Sequence, residues 1–309
     1  MVSLRRQQTI AGPAMCAGVG VHTGAHVRLV LTPAPADTGI VFVRSDVEDV
    51  DNRVRAHASS VAATMNSTTL RNEAGVEIST VEHLLAACAG LGVDNLFVEV
   101  DGPELPILDG SSAPFVQVLT NAGVKAQFPH QPVIRILEPV EVRHGARSAA
   151  LLPADDFDGL DLDVTIRFAH AAIGVQRCRL QLTTDAFLDD IADARTFGFM
   201  NEVEQMRASG LGRGASLDNT VAIEDGRVLN PEGLRFDDEF VRHKLLDAIG
   251  DLSLAGAPIC GRFVADQPGH ALNARLVQAL LETPEAWRWE HGESEAKPAA
   301  ERALASVAG

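Results

Sequence analysis

The sequence predicts a mixed α and β protein divided into two domains. With 309 residues, the chain exceeds the size at which a single hydrophobic core usually stops growing. Short runs rich in β-branched residues, set between turn residues, indicate strands in both halves. Segments with apolar residues three and four positions apart indicate helices with one buried face, again in both halves.

The first half contains three runs typical of strands and two typical of helices. Strands are expected at residues 27–31, 40–44 and 96–100. A helix should start near Ser79 and end at Gly90–Gly92, because apolar residues recur at 81, 84, 85, 88 and 91. A turn-rich loop, 101–110, then precedes a second helix at 114–122.

A linker is expected at residues 128–132, where two prolines oppose both a helix and a central strand. It separates an N-terminal domain, 1–129, from a C-terminal domain, 130–290. The second domain should contain strands at 133–142 and 161–168 and helices at 184–194, 200–208 and 238–255. Residues 291–309 are Ala-rich, charged and short of core residues, so we expect a loosely ordered tail.

Composition and charge argue against several classes of protein. No run approaches the ~18 uninterrupted apolar residues of a membrane span, and the start of the chain lacks the apolar stretch of a secretory signal. A net charge of −16 disfavours nucleic acid binding, which needs a surface of Lys and Arg. The four cysteines lie far apart, which suits a reducing compartment. We therefore expect a cytoplasmic protein without a transmembrane segment.

The predicted helix at 238–255 carries a polar stripe. His243, Asp247 and Asp251 follow one another at four-residue intervals, so they project from one face about one turn apart. Apolar neighbours such as Phe240 and Leu246 place the stripe beside a core. This spacing is compatible with metal binding, although a solvated surface pair explains most such matches.

Three further histidines deserve comparison with this stripe. His83 could offer a neutral nitrogen to a metal while the adjacent Glu82 takes a proton from water. The alternatives are a half-buried structural histidine and a capping box formed by Ser79 and Glu82. His270 follows a glycine that lets the backbone approach a site, and a histidine can donate a proton near neutral pH. His22 lies in a glycine-rich segment.

Together these segments resemble the UDP-3-O-acyl-N-acetylglucosamine deacetylases, the zinc enzymes of lipid A synthesis. The matching stretches occur in the family's order and extend over nearly the whole chain. They are Gly18–Gly24, Ser79–Leu84, Ile107–Ser111, Ala194–Phe199, Leu234–Phe236, Phe240–Leu252 and Gly269–Asn273. The resemblance implies an α+β fold of two similar domains, each a sheet layered against helices, with the active site between them.

The resemblance also implies a reaction and a metal. The reaction is hydrolysis of the N-acetyl group of UDP-3-O-((3R)-3-hydroxyacyl)-N-acetylglucosamine to give acetate and the free amine, the committed step of lipid A biosynthesis. His83, His243 and Asp247 would bind Zn²⁺, and a catalytic zinc keeps a fourth position open. Because these ligands come from both halves, the metal would tie the two domains together.

Four residues receive catalytic roles from the same resemblance. Glu82 matches the general base that deprotonates the attacking water. His270 matches the cation that steadies the oxyanion and then protonates the amine leaving group. Asp251 would hold His270 in its protonated form, and Thr196 would donate a hydroxyl to the oxyanion.

Four more residues are implied to bind the substrate. Lys244 matches a cation near the head group, and Phe168 matches a ring that stacks on uracil. Phe197, with residues 203–217, matches an apolar passage for the acyl chain, in which a run of small residues would leave room for that chain. His22 is included because its glycine-rich stretch matches the family.

One position departs from the family pattern. Many members carry Lys where this chain has Gln267, so diphosphate binding falls to other cations. Lys244 together with Arg262 or Arg143 are the candidates, and the sequence does not decide between the two arginines.

Two other functions are compatible with part of this pattern. Another zinc amidohydrolase, acting on a different N-acyl amino sugar or peptide, would need no lipid passage. A binding protein with a structural zinc would normally supply four protein ligands rather than three. We expect a monomer whose partner is the acylated UDP-sugar, with transient contact with a membrane edge because that substrate is amphiphilic.

Overall fold

The computed structural model describes residues 4–154 and 157–291, and in this part of the chain strands and helices combine as an α+β fold. The first half contains β1 (Arg6–Ile10), β2 (Ala14–Val19), β3 (His26–Pro33), β4 (Ile40–Arg44), β5 (Arg53–Arg55), β6 (Val61–Ala63), β7 (Thr69–Arg71), β8 (Glu77–Ser79), α1 (Glu82–Leu91), β9 (Leu96–Val100), α2 (Ala113–Ala122) and β10 (Val124–His130). The second half contains β11 (Val133–Ile136), β12 (Val140–His144), β13 (Arg147–Leu152), β14 (Leu160–Arg167), β15 (Val175–Gln181), α3 (Thr184–Asp190), β16 (Phe197–Phe199), α4 (Met200–Ala208), β17 (Val221–Glu224), β18 (Arg227–Val228), α5 (Glu239–Leu252), β19 (Ile259–Asp266), α6 (His270–Glu282) and β20 (Trp287–Glu290).

Each half is built on one large sheet. In the first half the strand order is β2-β3-β9-β4-β5, in which β4 runs parallel to β9 with Ile40 opposite Leu96. In the second half the order is β12-β13-β19-β11-β20, and β14 pairs in parallel with β19 and antiparallel with β15. Smaller sheets are formed by β1-β10, β6-β7-β8 and β16-β17-β18. Alternation along β3 buries Val27, Leu29 and Leu31 in the core of the first half.

Two hydrophobic cores lie on either side of the packed helices α1 and α5. The first core is formed by side chains between Ile10 and Leu119 and includes Leu254 from the second half. The second core is formed by side chains between Ile134 and Ala286 and includes Ala86 from α1. Each helix is therefore buried on nearly all sides. The division into domains 1–129 and 130–290 stays a prediction.

Several predicted elements are confirmed with their bounds. The strands at 40–44 and 96–100 and the helix at 200–208 begin and end as expected. The helix expected at 184–194 ends at Asp190, since Ile191 leaves the helical conformation with φ −123°. The helix expected at 238–255 ends at Leu252 and continues as a 3₁₀ turn, Ser253–Ala255.

The linker expected at 128–132 is wrong for most of its length, because β10 continues to His130 and pairs with β1. Pro129 lies in an irregular stretch of this two-stranded sheet, between the pairs Arg6–His130 and Gln8–Ala126. A proline is tolerated there because an edge or bulge position needs no N–H for the ladder. The strand expected at 133–142 is divided in two, since Pro139 interrupts it between β11 and β12.

One long helix, α6, has no counterpart among the elements predicted from the sequence. Helix α6 begins immediately after Gly269 and packs against α5. The expected tail lies outside the described residues from position 292 onward. None of the helices in the described ranges has both the length and the hydropathy of a membrane span.

Candidate metal centre and active site

Three potential metal ligands converge between α1 and α5. His83 lies in the first turn of α1, and His243 and Asp247 lie one turn apart on α5. One ligand atom from each residue lies within 4.8 Å of the others. Asp247 Oδ1 is 3.6 Å from His83 Nε2 and 3.4 Å from His243 Nε2. All three side chains are buried, so the surface-pair interpretation of this stripe is wrong.

The donor atoms suit a divalent metal ion. His243 Nδ1 lies 3.0 Å from the Ala194 carbonyl oxygen, a contact that makes Nδ1 the donor and leaves the Nε2 lone pair facing Asp247. Asp247 Oδ1 and His83 Nδ1 are buried without a hydrogen-bond partner. A buried carboxylate oxygen without a donor is costly, and a bound cation would remove that cost.

Electrostatics place His243 and Asp247 in the protonation states that metal binding needs. Burial lowers the pKa of His243 to about 3, so its imidazole is neutral. Burial opposes ionisation of Asp247, but His243 and Lys244 outweigh it and hold the pKa of Asp247 well below its ordinary value. With His83, the set comprises two imidazoles and one carboxylate, which are ligands typical of a catalytic zinc site.

Close contact between α1 and α5 depends on Gly250. A Cβ at this position would lie 2.1 Å from the Glu82 carbonyl oxygen, so only glycine allows the helices to approach to this distance.

The turn before α1 has a strained backbone: Thr80 has φ 58°, a conformation that β-branched residues rarely adopt. Its hydroxyl lies 3.3 Å from Glu104 Oε1.

Glu82 and His270 face each other beside the three ligands. Glu82 Oε1 is 3.8 Å from His270 Nε2, and His270 Nε2 is 4.0 Å from Asp247 Oδ2. Burial raises the pKa of Glu82. The capping-box alternative for Glu82 is wrong, because Val81 precedes α1 without a side-chain cap and Glu82 Oε2 accepts the N–H of Thr68.

A hydrogen-bond network orients the His270 ring through Nδ1, the nitrogen that does not face Glu82. Its Nδ1 donates to Asp251 Oδ2 at 2.9 Å, and Asn273 Nδ2 donates to the same oxygen at 2.9 Å. The Thr68 hydroxyl donates to Asp251 Oδ1 at 2.6 Å. Burial alone would lower the pKa of His270, but Asp251 and Glu82 outweigh burial and raise it to about 10. These carboxylates therefore favour the imidazolium form of His270.

Sequence reasoning missed Thr68, Asn273 and Arg195. Asn273 lies three residues after His270, so a correct prediction of α6 would have placed both on one face. Thr68 had no signal, because its partners lie 14 and 183 residues away in the sequence. Arg195 is buried and bonds Glu239 Oε1 at 2.9 Å, which fixes the segment carrying Ala194 to the start of α5.

Lys244 and two predicted aromatic residues form one edge of the site. Lys244 Nζ donates to Asp247 Oδ2 at 2.8 Å and lies 5.5 Å from the centre of the Phe197 ring. Burial would lower the pKa of Lys244, but Asp247 outweighs it and raises that pKa. The ring of Phe168 lies 5.7 Å from that of Phe197, and Phe197 packs edge-on against Phe240 at 5.0 Å.

A cleft of about 290 Å³ opens beside His270. Its lining is rich in cationic and polar side chains and comprises Thr64, Asn66, His144, Arg147, Lys244, Gln267, Pro268, Gly269, His270, Ala271, Leu272 and Arg275. Arg262 and Arg143 are not among them: Arg262 bonds Asp161 and Arg143 bonds Glu141, each at 2.7 Å. A larger cleft of about 840 Å³, lined by residues such as Cys88 and Leu252, contains none of the predicted site residues.

His22 lies in a loop next to this site. Its backbone N–H donates to Glu104 Oε1 at 2.8 Å. Burial lowers the pKa of His22 against the opposing charge of Glu104, and His270 acts in the same direction as burial. Thr196 is half-buried, two residues beyond Ala194, and its N–H donates to the Gly110 carbonyl oxygen at 2.8 Å.

The small residues of the expected acyl passage make a backbone contact with the His22 loop. The N–H of Arg213 donates to the His22 carbonyl oxygen at 3.2 Å, and the N–H of Gly214 donates to that of Val21 at 3.1 Å. A Cβ at Gly214 would lie 2.2 Å from the Gly20 carbonyl oxygen. Glycine at position 214 therefore allows the segment that contains it to pack closely against the His22 loop.

Comparison with known proteins gives one consistent family. The family model described as UDP-3-O-acyl N-acetylglycosamine deacetylase matches residues 7–282. The chain is 55% identical over 282 residues to the UDP-3-O-acyl-N-acetylglucosamine deacetylase of Phenylobacterium zucineum, covering 91% of this chain and 95% of the relative. It is 49% identical over 286 residues to the enzyme of that name from Chromobacterium violaceum, with 92% of each chain covered. It is 47% identical over 292 residues to the enzyme of that name from Shewanella sp. strain ANA-3, with 94% of each chain covered.

Proposed function

This chain belongs to the UDP-3-O-acyl N-acetylglycosamine deacetylase family, and from that membership we propose how its own residues remove the acetyl group. The activity is hydrolysis of the N-acetyl amide of UDP-3-O-((3R)-3-hydroxyacyl)-N-acetylglucosamine, a step of lipid A biosynthesis. The observation that carries the proposal is the convergence of His83, His243 and Asp247 with Glu82 and His270 in one buried site.

We assign Zn²⁺ to His83, His243 and Asp247. Two imidazoles and one carboxylate fit zinc and would leave a fourth coordination position for substrate or water. When bound, the ion would polarise the amide carbonyl and bring the pKa of the attacking water from about 15.7 towards ~7. The unpartnered Asp247 Oδ1 supports this assignment, because only a cation or a donor makes that oxygen tolerable when buried.

Glu82 acts as the general base. Its Oε2 accepts the Thr68 N–H, and Oε1 is turned towards His270, where it can take a proton from water. Burial raises its pKa, which makes the carboxylate a stronger base than an exposed one.

His270 acts as the general acid. Its imidazolium steadies the oxyanion and protonates the departing amine, which would otherwise be a very poor leaving group. Asp251 orients the ring through Nδ1 and keeps it charged. Thr196 donates its hydroxyl to the oxyanion as a second stabilising group.

Charges and aromatic rings around the site match the chemistry of the substrate. Lys244 binds the head group. Arg147 and Arg275, which line the cleft beside Lys244, bind the diphosphate and replace the lysine that many family members carry at the position of Gln267. Phe197 lines the acyl passage, Phe168 stacks on the uracil, and His22 contacts the sugar from the opposite loop. The enzyme works as a cytoplasmic monomer formed of two domains with the site between them, and it contacts the membrane edge only transiently.

The test is acetate release from UDP-3-O-(3-hydroxyacyl)-N-acetylglucosamine by purified protein, before and after chelation and after return of Zn²⁺ or Fe²⁺. Release should stop on chelation, and the ion that restores it identifies the working metal. A Glu82→Ala variant should keep its metal and lose about 10²-fold or more in turnover. Full activity of the metal-free protein, or of Glu82→Ala, would overturn the roles proposed here. Activity only on other N-acyl amino sugars would favour the alternative zinc amidohydrolase.

A further inference from the structure

Thr68 touches both carboxylates that serve the acid and base of the proposed reaction. It lies in the loop between β6 and β7 and is 1% exposed. Its backbone N–H donates to Glu82 Oε2 at 3.1 Å, and its hydroxyl donates to Asp251 Oδ1 at 2.6 Å. One residue of a short loop therefore bonds α1 and α5 at the same time.

These two bonds orient each carboxylate so that a particular oxygen faces His270. Because Oε2 of Glu82 accepts the Thr68 N–H, Oε1 is the oxygen that lies 3.8 Å from His270 Nε2. With Oδ1 of Asp251 taken, Oδ2 receives both His270 Nδ1 and Asn273 Nδ2. Neither carboxylate can rotate without breaking a bond to Thr68.

We propose that Thr68 is a positioning residue for the deacetylation, holding the general base and the carboxylate behind the general acid in a fixed relation to each other. The proposal rests on the roles proposed above for Glu82, Asp251 and His270. The two hydrogen bonds of Thr68 go to Glu82 and Asp251, so it acts through these two carboxylates. A misplacement of about 1 Å can cost 10²-fold in rate, so a residue that orients both groups should matter for kcat.

The two bonds can be separated by substitution. Thr68→Val keeps the β-branched shape and the backbone N–H to Glu82 but removes the hydroxyl donated to Asp251. Asp251 Oδ1 is then buried with no side-chain donor at position 68 and can turn away from His270. Thr68→Ser restores the hydroxyl. Thr69→Val is the matched control, because the next side chain of an extended segment points to the opposite face.

The experiment measures kcat, KM, bound metal and thermal unfolding for these variants, with assays run well below each unfolding midpoint. We expect Thr68→Val to lose about 10-fold to 10²-fold in kcat, with a much smaller change in KM and unchanged metal content. Thr68→Ser should recover most of the loss, and Thr69→Val should match the wild type. Wild-type kcat in Thr68→Val, or a Thr68→Ser variant as slow as Thr68→Val, would overturn the proposal.

A double-mutant cycle with Asp251→Asn separates positioning from a general loss of stability. If Thr68 acts through Asp251, the valine substitution should have little further effect on kcat in the Asp251→Asn background. If Thr68→Val instead lowers kcat by the same factor in the Asp251→Asn background as in the wild type, the inference about Thr68 is overturned. If Asp251→Asn alone leaves kcat unchanged, the role proposed for Asp251 fails, and the inference about Thr68 fails with it. An impaired Asp251→Asn beside a normal Thr68→Val would overturn the inference about Thr68 alone.

Discussion

At the scale of single residues, two histidines of one site are driven to opposite protonation states by their surroundings. His243 is buried, and burial lowers its pKa to about 3, because the charge of Asp247 does not compensate for lost solvation. His270 is also buried, but Asp251 and Glu82 both face it and raise its pKa to about 10. The first is suited to bind a metal as a neutral ligand, and the second is suited to give up a proton.

These shifts predict a bell-shaped dependence of kcat/KM on pH. The rate should fall as the pH drops through the raised pKa of Glu82, because a protonated base cannot accept a proton. It should also fall as the pH rises through the pKa of His270, because the acid is then lost. A bound cation lowers both values, so we expect the alkaline limb between pH 6.5 and about 10.

Asp251→Asn tests the cause of the alkaline limb. Removing the charge next to His270 should move this limb to lower pH by about one to three units, while the acidic limb moves less. The measurement is the pH profile of kcat/KM with metal present. Asp163→Asn, which changes a carboxylate bonded to the exposed Arg177, should leave both limbs in place. An alkaline limb at the wild-type pH in Asp251→Asn would contradict the proposed source of the shift.

At the scale of elements, local pattern predicted the segments whose neighbours in sequence determine them. Strand β4 and helix α4 have the expected bounds, and the four-residue spacing on α5 placed His243 and Asp247 on one face. Long-range effects were missed. Pro129 is accommodated by an irregular edge pairing, and Thr68 bonds residues of α1 and α5, so neither could be read from spacing.

Gly250 is the position where packing of elements determines the site. Gly250→Ala should raise the intrinsic helix propensity of α5 by roughly 0.5–1 kcal/mol. The new Cβ would nevertheless meet the Glu82 carbonyl oxygen at 2.1 Å, and overpacking of this kind costs about 1–3 kcal/mol. We therefore expect lower thermal stability together with weaker metal binding, because His83 moves away from α5.

The check is calorimetric unfolding combined with metal titration of Gly250→Ala. Gly12→Ala is the control, since a Cβ there meets no atom within 4 Å. The variant at Gly12 should bind metal as the wild type does. A Gly250→Ala variant that gains stability and keeps its metal affinity would show that α1 can retreat from α5 without moving His83.

At the scale of the whole molecule, each half contributes a residue to the hydrophobic core of the other half. Ala86 of α1 belongs to the core of the second half, and Leu254 belongs to that of the first. The metal ligands follow the same pattern, with His83 on α1 and His243 and Asp247 on α5. A bound ion would thus add a cross-link at the buried contact between the two halves.

Metal removal should therefore lower the stability of the entire chain. An ion that binds only the folded protein stabilises it by about 4 kcal/mol at a free concentration 1,000 times its Kd. We expect the unfolding midpoint to fall by several degrees on chelation and to recover when Zn²⁺ is returned. His83→Ala and His243→Ala remove a ligand from opposite halves, and each should abolish the difference between metal-loaded and metal-free protein. Calorimetry of each variant with and without Zn²⁺ measures this difference. A metal-dependent shift that survives in His83→Ala would mean that the ion is held within the second half, and the cross-link would have to be abandoned.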